Sequence, residues 1–225
     1  MHEKIKVENK WNYENGFYLT AEKSRIGKLL AQYEIFYKTK KINGAIVEIG
    51  VFKGASLIRI STFRDLLNIK KKIIAFDAFG KFPKTKKNNL NLDSKNFNDN
   101  SFIDNFENIS GKGISKKELI KFTKLKNINN LELIKGDIFK TLKKYFNKNN
   151  KLKISLLHID VDTYAGTEYI LENLYKKVSK GGIIMLDNYN NIPNETEAVN
   201  KFFGRKINKI KNTKFNNTPY YFVKD

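Results

Sequence analysis

KISLLHIDVDTY at residues 153–164 and GGIIMLDNY at residues 181–189 decide how this 225-residue chain reads. Each holds an apolar run that ends in oxygen-bearing side chains: Asp160 and Asp162 after the first, Asp187 and Asn188 after the second. The segment between them has the spacing of a helix. In an open α/β sheet, ligands bind outside the carboxyl ends of the strands, so these two strand ends are expected to converge. Four oxygen donors at such a point suit a hard cation. Mg²⁺ takes one or two carboxylates, keeps several waters and leaves positions for substrate oxygens, which suits chemistry on a hydroxyl. The competing reading is structural. Asp162 stands where it would cap the next helix, and Asp187-Asn188 has the composition of a turn. The pairing of two strand ends favours the functional reading.

A second informative stretch lies upstream. Residues 47–56, VEIGVFKGAS, run from a strand (Ala45–Ile49) through a glycine turn into a helix expected over Ser56–Asn68. Gly50 and Gly54 let backbone approach a ligand, and a helix start offers free amides. The dinucleotide fingerprint is absent because Phe52 stands where a glycine would. The spacing suits a cofactor that carries an amino acid, with Glu48 offsetting an ammonium group and Ser56 binding a carboxylate. The next strand, Lys72–Phe76, ends in Asp77, placed to accept hydrogen bonds from ribose hydroxyls. A third strand, Leu131–Ile134, closes at Gly136-Asp137, where Asp137 would meet the base of the same cofactor.

The remaining elements alternate helix and strand. Residues 10–20 are aromatic-rich and read as an irregular lid or interface, and Thr20–Lys41 as a helix capped by Thr20 or Ser24, so residues 1–41 form an N-terminal cap or interface segment. Residues 78–113 are polar, rich in Asn and Lys, and too long for an ordinary connection, so an active-site lid is expected. Helices are expected at Ser115–Asn127, Ile138–Asn147 and from Pro193 through Lys206, the last with Pro at its first turn and Glu195 and Glu197 near its positive end. The tail reads as a hairpin around Asn216-Asn217, an antiparallel addition to a parallel sheet.

Composition bounds the rest. The length suits one domain over 1–225, and 40% hydrophobic with 13% aromatic residues is a globular composition. The charged N-terminus has no signal-peptide pattern, no apolar run is long enough to span a membrane, and no Cys is present. A cytoplasmic protein is expected. The net charge of +20 raises a nucleic-acid partner. Arginine, which dominates bidentate readout, occurs only at positions 25, 59, 64 and 205. The lysines are dispersed, so no specific nucleic acid is expected.

ENGFYLT…SRIGKLL, VEIGVFKGASL, FDAFGKFP, LHIDVDTY and GGIIMLDNY together resemble the macrocin O-methyltransferase family, class I enzymes that methylate sugar hydroxyls. The resemblance runs from about Tyr13 to Phe203 with the motifs in family order. It implies a Rossmann-like seven-stranded, mostly parallel sheet with an antiparallel C-terminal strand and helices on both faces. It further implies S-adenosylmethionine on the Glu48–Ser56 turn, with Gly50, Phe52 and Gly54 beside it and Asp77 on its ribose, Mg²⁺ dependence, and a homo-oligomer. Asp187-Asn188-Tyr189 departs from the family's two aspartates and a tyrosine, and matches the metal-binding Asp-Asn of catechol O-methyltransferases. The mechanism expected is in-line methyl transfer to a sugar or nucleotide-sugar hydroxyl. Asp160, Asp187 and Asn188 would hold the metal, and Asp160 would also take the proton. His158 shares the face of Asp160 by strand alternation; it is an alternative base, with support of the site from behind the favoured role. The alternatives are another small-molecule diol, such as a catechol, as acceptor, or an RNA-directed binder.

Overall fold

The structure is a computed structural model and describes residues 5–84 and 98–225. Strands β1 (Ala45–Ile49), β2 (Ile73–Asp77), β3 (Leu131–Lys135), β4 (Ile154–Ile159), β5 (Val178–Leu186) and β6 (Tyr220–Val223) form one sheet in the order β3-β2-β1-β4-β5-β6. The first five are parallel, and β6 runs antiparallel to β5. The helices are α1 (Lys10–Thr20), α2 (Lys23–Lys38), α3 (Ala55–Leu66), α4 (Asp99–Ser110), α5 (Lys116–Leu125), α6 (Ile138–Lys148), α7 (Tyr164–Leu174) and α8 (Pro193–Phe203). No helix among the described residues is long and apolar enough to cross a membrane.

Strands β1 and β4 are buried at every position, as expected of parallel strands covered on both faces. On one face Ile46, Ile73, Leu156 and Ile183 pack against Ile35 and Phe36 of α2, Leu57 and Ile60 of α3, and Leu119 of α5. On the other, Val47, Ile74, Leu157 and Ile184 meet Leu142 and Phe146 of α6, Ile170 and Leu171 of α7, and Val199 and Phe203 of α8. Strand alternation then sets polar residues on the α2–α3 face. Glu48 lies in register with His158, and His158 with Met185, two residues before Asp187.

The sheet has six strands among the described residues, one fewer than the family resemblance implies. The missing strand is the first half of the expected C-terminal hairpin, which is reduced to a single bridge between Lys211 and Tyr221. A 3-10 turn over Gly204–Lys209 ends pairing on one side. On the other, the next hydrogen-bonded position of the antiparallel ladder falls on Pro219, which has no N–H to donate.

Two local expectations change as well. Residues 10–20 are helical, not irregular, and α1 buries none of its residues, so it lacks the apolar stripe from which a helix is recognised. Neither Thr20 nor Ser24 caps α2. Its N-cap is Glu22, without a side-chain cap bond, and Ser24 Oγ donates to the Glu22 carboxylate at 3.3 Å. Of the 78–113 insertion, residues 85–97 lie outside the described residues. Its described part forms α4 and packs: Phe52, Phe82 and Phe106 make a ring cluster with centroids 5.3–5.8 Å apart.

Candidate active site

The carboxyl ends of β4 and β5 converge as their sequences predict. Asp160 extends β4 by donating its N–H to the Ile49 carbonyl (2.9 Å), and Asp187 extends β5 by donating to that of Ile159 (3.1 Å). One ligand atom each of His158, Asp160 and Asp187 lies within 4.8 Å of the others. Asn188 Nδ2 bridges the aspartates of the β4 end, donating to Asp162 Oδ1 at 2.7 Å and Asp160 Oδ1 at 3.4 Å. Asp162 therefore belongs to the cluster and does not cap α7. The N-cap of α7 is Thr163, and the free amides of Tyr164 and Ala165 donate instead to Asp99 of α4, at 2.8 and 3.1 Å.

Behind the cluster runs a buried chain of alternating charge. Ser56 Oγ donates to Glu48 Oε1 (2.5 Å), His158 Nδ1 lies 3.8 Å from the same oxygen, and His158 Nε2 is 3.1 Å from Asp187 Oδ1. Lys28 of α2 closes it on Asp187 Oδ2 at 2.5 Å. Burial alone would lower the imidazolium pKa of His158, but its hydrogen bond to Asp187 and the nearby Glu48 carboxylate outweigh that and push it up to about 10. The ring stands behind the carboxylates, and its Nε2 contact with Asp187 Oδ1 holds that side chain in place. Asp187 resists its own burial for the same reason, kept below the usual carboxylate range by His158 and Lys28.

The front carboxylates lack such partners. Burial, then the charges of Asp187 and Asp162, raise Asp160 well above its ordinary value. Burial also raises Asp162 to about 6, with the Asn188 hydrogen bond opposing and Asp187 reinforcing it. Glu195 at the start of α8 is fully buried and raised by burial and by these three aspartates; its Oε1 accepts the Asn188 N–H at 3.2 Å, and its Oε2 has no hydrogen-bond partner among the described residues. An under-compensated set of oxygen donors fits a divalent hard cation, and Asp160 and Asp187 are its natural holders. Ligation by Asn188 requires its amide to turn so that Oδ1 faces the carboxylates.

One stability prediction follows. The folded-state pKa of Asp162 exceeds its ordinary 3.8, so the folded chain holds a proton that the unfolded chain releases between about pH 4 and 6. Stability of the chelator-treated protein therefore falls as pH rises through that window. The two-unit shift corresponds to about 3 kcal/mol. Denaturant melts of wild type and Asp162→Asn should diverge by about that amount from pH 4 to 7, in favour of Asn.

Beside the cluster a cleft encloses about 670 Å³, counting the solvent at its mouth. Gly50, Phe52, Asp77, Gly136, Phe139 and Asp160 are among its walls. Asp77 accepts the amides of Val51 and Phe52 on Oδ2 (2.7 and 3.0 Å) and of Phe79 on Oδ1 (2.5 Å), tying β2 to the glycine turn and leaving acceptor capacity for a hydroxyl. Gly54, with φ +87°, starts α3. Gly50, with φ +91°, answers a demand of the fold itself: a Cβ there would lie 1.7 Å from the Asp160 carbonyl oxygen. Glu48 and Ser56 are buried beneath this turn and bonded to each other, outside the cleft wall. Asp137 caps α6 by accepting the Phe139 N–H at 3.0 Å, so its neighbours line the cleft and it does not.

Sequence reasoning missed Lys28, Asp99 and the burial of Glu195. For Lys28 a signal existed. Gly27 and Ala31 are buried, with Gln32, on the face of α2 that approaches the rest of the chain, whereas the larger Leu30, Tyr33 and Tyr37 are 37–41% exposed. Small residues mark close approach, and Lys28 stands among them.

A sequence model of the macrocin-O-methyltransferase (TylF) family matches residues 18–223. Among solved structures, that of CalS11, a calicheamicin methyltransferase, superposes with a TM-score of 0.72 at 19% identity, covering 99% of this chain and 87% of that one. The O-methyltransferase NovP superposes with a TM-score of 0.72 at 19% identity, covering 88% and 80%. No curated protein sequence matches. These structures share the fold, and the family match extends over nearly every element that builds the cleft and the carboxylate cluster. The chain therefore belongs to the macrocin-O-methyltransferase family and is an S-adenosylmethionine-dependent O-methyltransferase.

Proposed function

We propose that the chain methylates a hydroxyl of a sugar, either nucleotide-linked or part of a glycosylated product, with Mg²⁺ at the carboxylate cluster. One observation supports this above the others: Asp160 belongs both to the cleft wall and to the cluster, so a donor in the one and an acceptor at the other would meet at a single residue. When bound, S-adenosylmethionine supplies an electrophilic methyl group, and Mg²⁺ a Lewis acid that lowers the pKa of a hydroxyl.

The chain's own residues do the rest. Asp160 and Asp187 hold the cation, joined by Asn188 once its amide turns. An aspartate committed to a cation is a poor proton acceptor, so beside Asp160, the base of the sequence reading, Asp162 is the second candidate, two residues on and bonded to Asn188 at 2.7 Å. Asp77 would receive the donor's ribose, and Phe139, on the cleft wall beyond Gly136, would stand beside its base. The Gly50–Gly54 turn takes the amino-acid end, with Glu48 and Ser56 locking that turn from beneath and Asp137 bracing the far wall. Alignment of donor and acceptor is the main catalytic contribution, an effect worth up to roughly 7–11 kcal/mol. The described part of the 78–113 insertion covers the cleft, with Phe82 and Ile103 in its wall. Helix α1, which exposes Trp11, Tyr18 and Leu19, serves as the interface of a homo-oligomer, since an isolated helix of 11 residues is marginal in water.

The test is a panel of nucleotide sugars, glycosides and catechols with labelled S-adenosylmethionine, with and without chelator. Transfer to a sugar hydroxyl that chelator abolishes is expected; undiminished turnover after the metal is stripped defeats the Mg²⁺ assignment. Asp162→Asn should lower kcat by about 10²-fold or more while Mg²⁺ and S-adenosylhomocysteine affinities hold, which separates the base from the cation holders.

A further inference from the structure

We propose that Lys28 is a built-in counter-cation for the divalent-ion site: its ammonium and the ion are alternative partners of Asp187, so the ion binds only as Lys28 withdraws. This rests on the Mg²⁺ assignment above. Both oxygens of Asp187 are already engaged by cations, Oδ1 by His158 at 3.1 Å and Oδ2 by Lys28 at 2.5 Å. A divalent ion held by Asp160 and Asp187 must displace one of them or lie against its positive charge.

His158 cannot be the one that yields. It is wholly buried on a central strand and is wedged between Glu48 and Asp187. Lys28 can. It comes from the second turn of α2, its side chain is 18% exposed, and a flexible four-carbon stem carries its charge. Asp187 is its single ion-pair partner among the described residues, although the charge of Asp160 also reaches it. Withdrawal moves it away from that carboxylate and leaves it with the repulsion of Arg25, one turn earlier on α2. The ammonium thus keeps Asp187 compensated without metal and weakens the site for the ion that replaces it.

The test is calorimetric titration of Mn²⁺, as a probe for Mg²⁺, into metal-stripped full-length protein without donor or acceptor, so turnover does not enter. Lys28→Met, which keeps the apolar stem, and Lys28→Gln should each bind Mn²⁺ at least tenfold more tightly than wild type. Lys28→Arg, which keeps the charge, should not. S-adenosylhomocysteine binding by each variant checks that it is folded. Wild type that binds no Mn²⁺ beside neutral variants that do also supports the proposal. Equal or weaker binding by both neutral variants overturns it and leaves the Mg²⁺ assignment standing if wild type binds and Asp160→Asn does not. Failure of every form to bind, with S-adenosylhomocysteine still bound, overturns both.

Discussion

Asp160→Ala should abolish methyl transfer, with kcat/KM down on the order of 10³-fold or more, while S-adenosylhomocysteine binds within a few-fold of wild type. The magnitude follows from the several kcal/mol of charge stabilisation a Lewis acid supplies, at about 1.4 kcal/mol per decade of rate. The selectivity follows from the geometry. The Asp160 carboxylate reaches the cluster, whereas its backbone N–H and carbonyl make the contacts with β1, and Ala keeps both. Single-turnover kinetics beside a binding titration would check this. Residual activity within tenfold of wild type would remove Asp160 from the mechanism.

Gly50→Ala should cost about 3 kcal/mol or more of folding stability and most of the activity. Two penalties combine. The residue has φ +91°, which an L side chain rarely adopts, and the added methyl would lie 1.7 Å from the carbonyl oxygen of Asp160. Relief requires β1 and β4 to separate where the Asp160 N–H meets the Ile49 carbonyl, which moves the carboxylate that both cleft and cluster share. Denaturant melts should show the loss. Gly80→Ala, at a glycine of the same cleft with no atom within 4 Å of an added Cβ, should melt like wild type.

The C-terminal hairpin shows where local pattern fell short. KIKNTKFNNTPYYFV alternates and turns as a hairpin should, yet whether its first half joins the sheet depends on which residue meets Pro219 across the ladder, a matter of register between segments. Helix α1 failed for the opposite reason: it buries none of its residues, so burial left no trace in its sequence. Asp162 was legible as either cap or cluster member. The decision came from Asp99, 63 positions upstream in an insertion whose polar composition concealed it, which took over the cap of α7.

Sequence alone determined the alternation of strand and helix, the glycine turn after β1, and the two acidic strand ends, because each is written in periodicity and backbone preference within a few residues. Tertiary structure decided the charge on each of those acids. The pKa of His158 is raised because Glu48 and Asp187 flank it across neighbouring strands, that of Asp187 is held low because His158 abuts it and Lys28 reaches it from 159 positions away, and that of Asp162 is raised because burial strips its water and leaves it only an amide. The free energy of a buried charge depends on which opposite charges the fold brings within a few ångströms, and that is a property of the assembled chain.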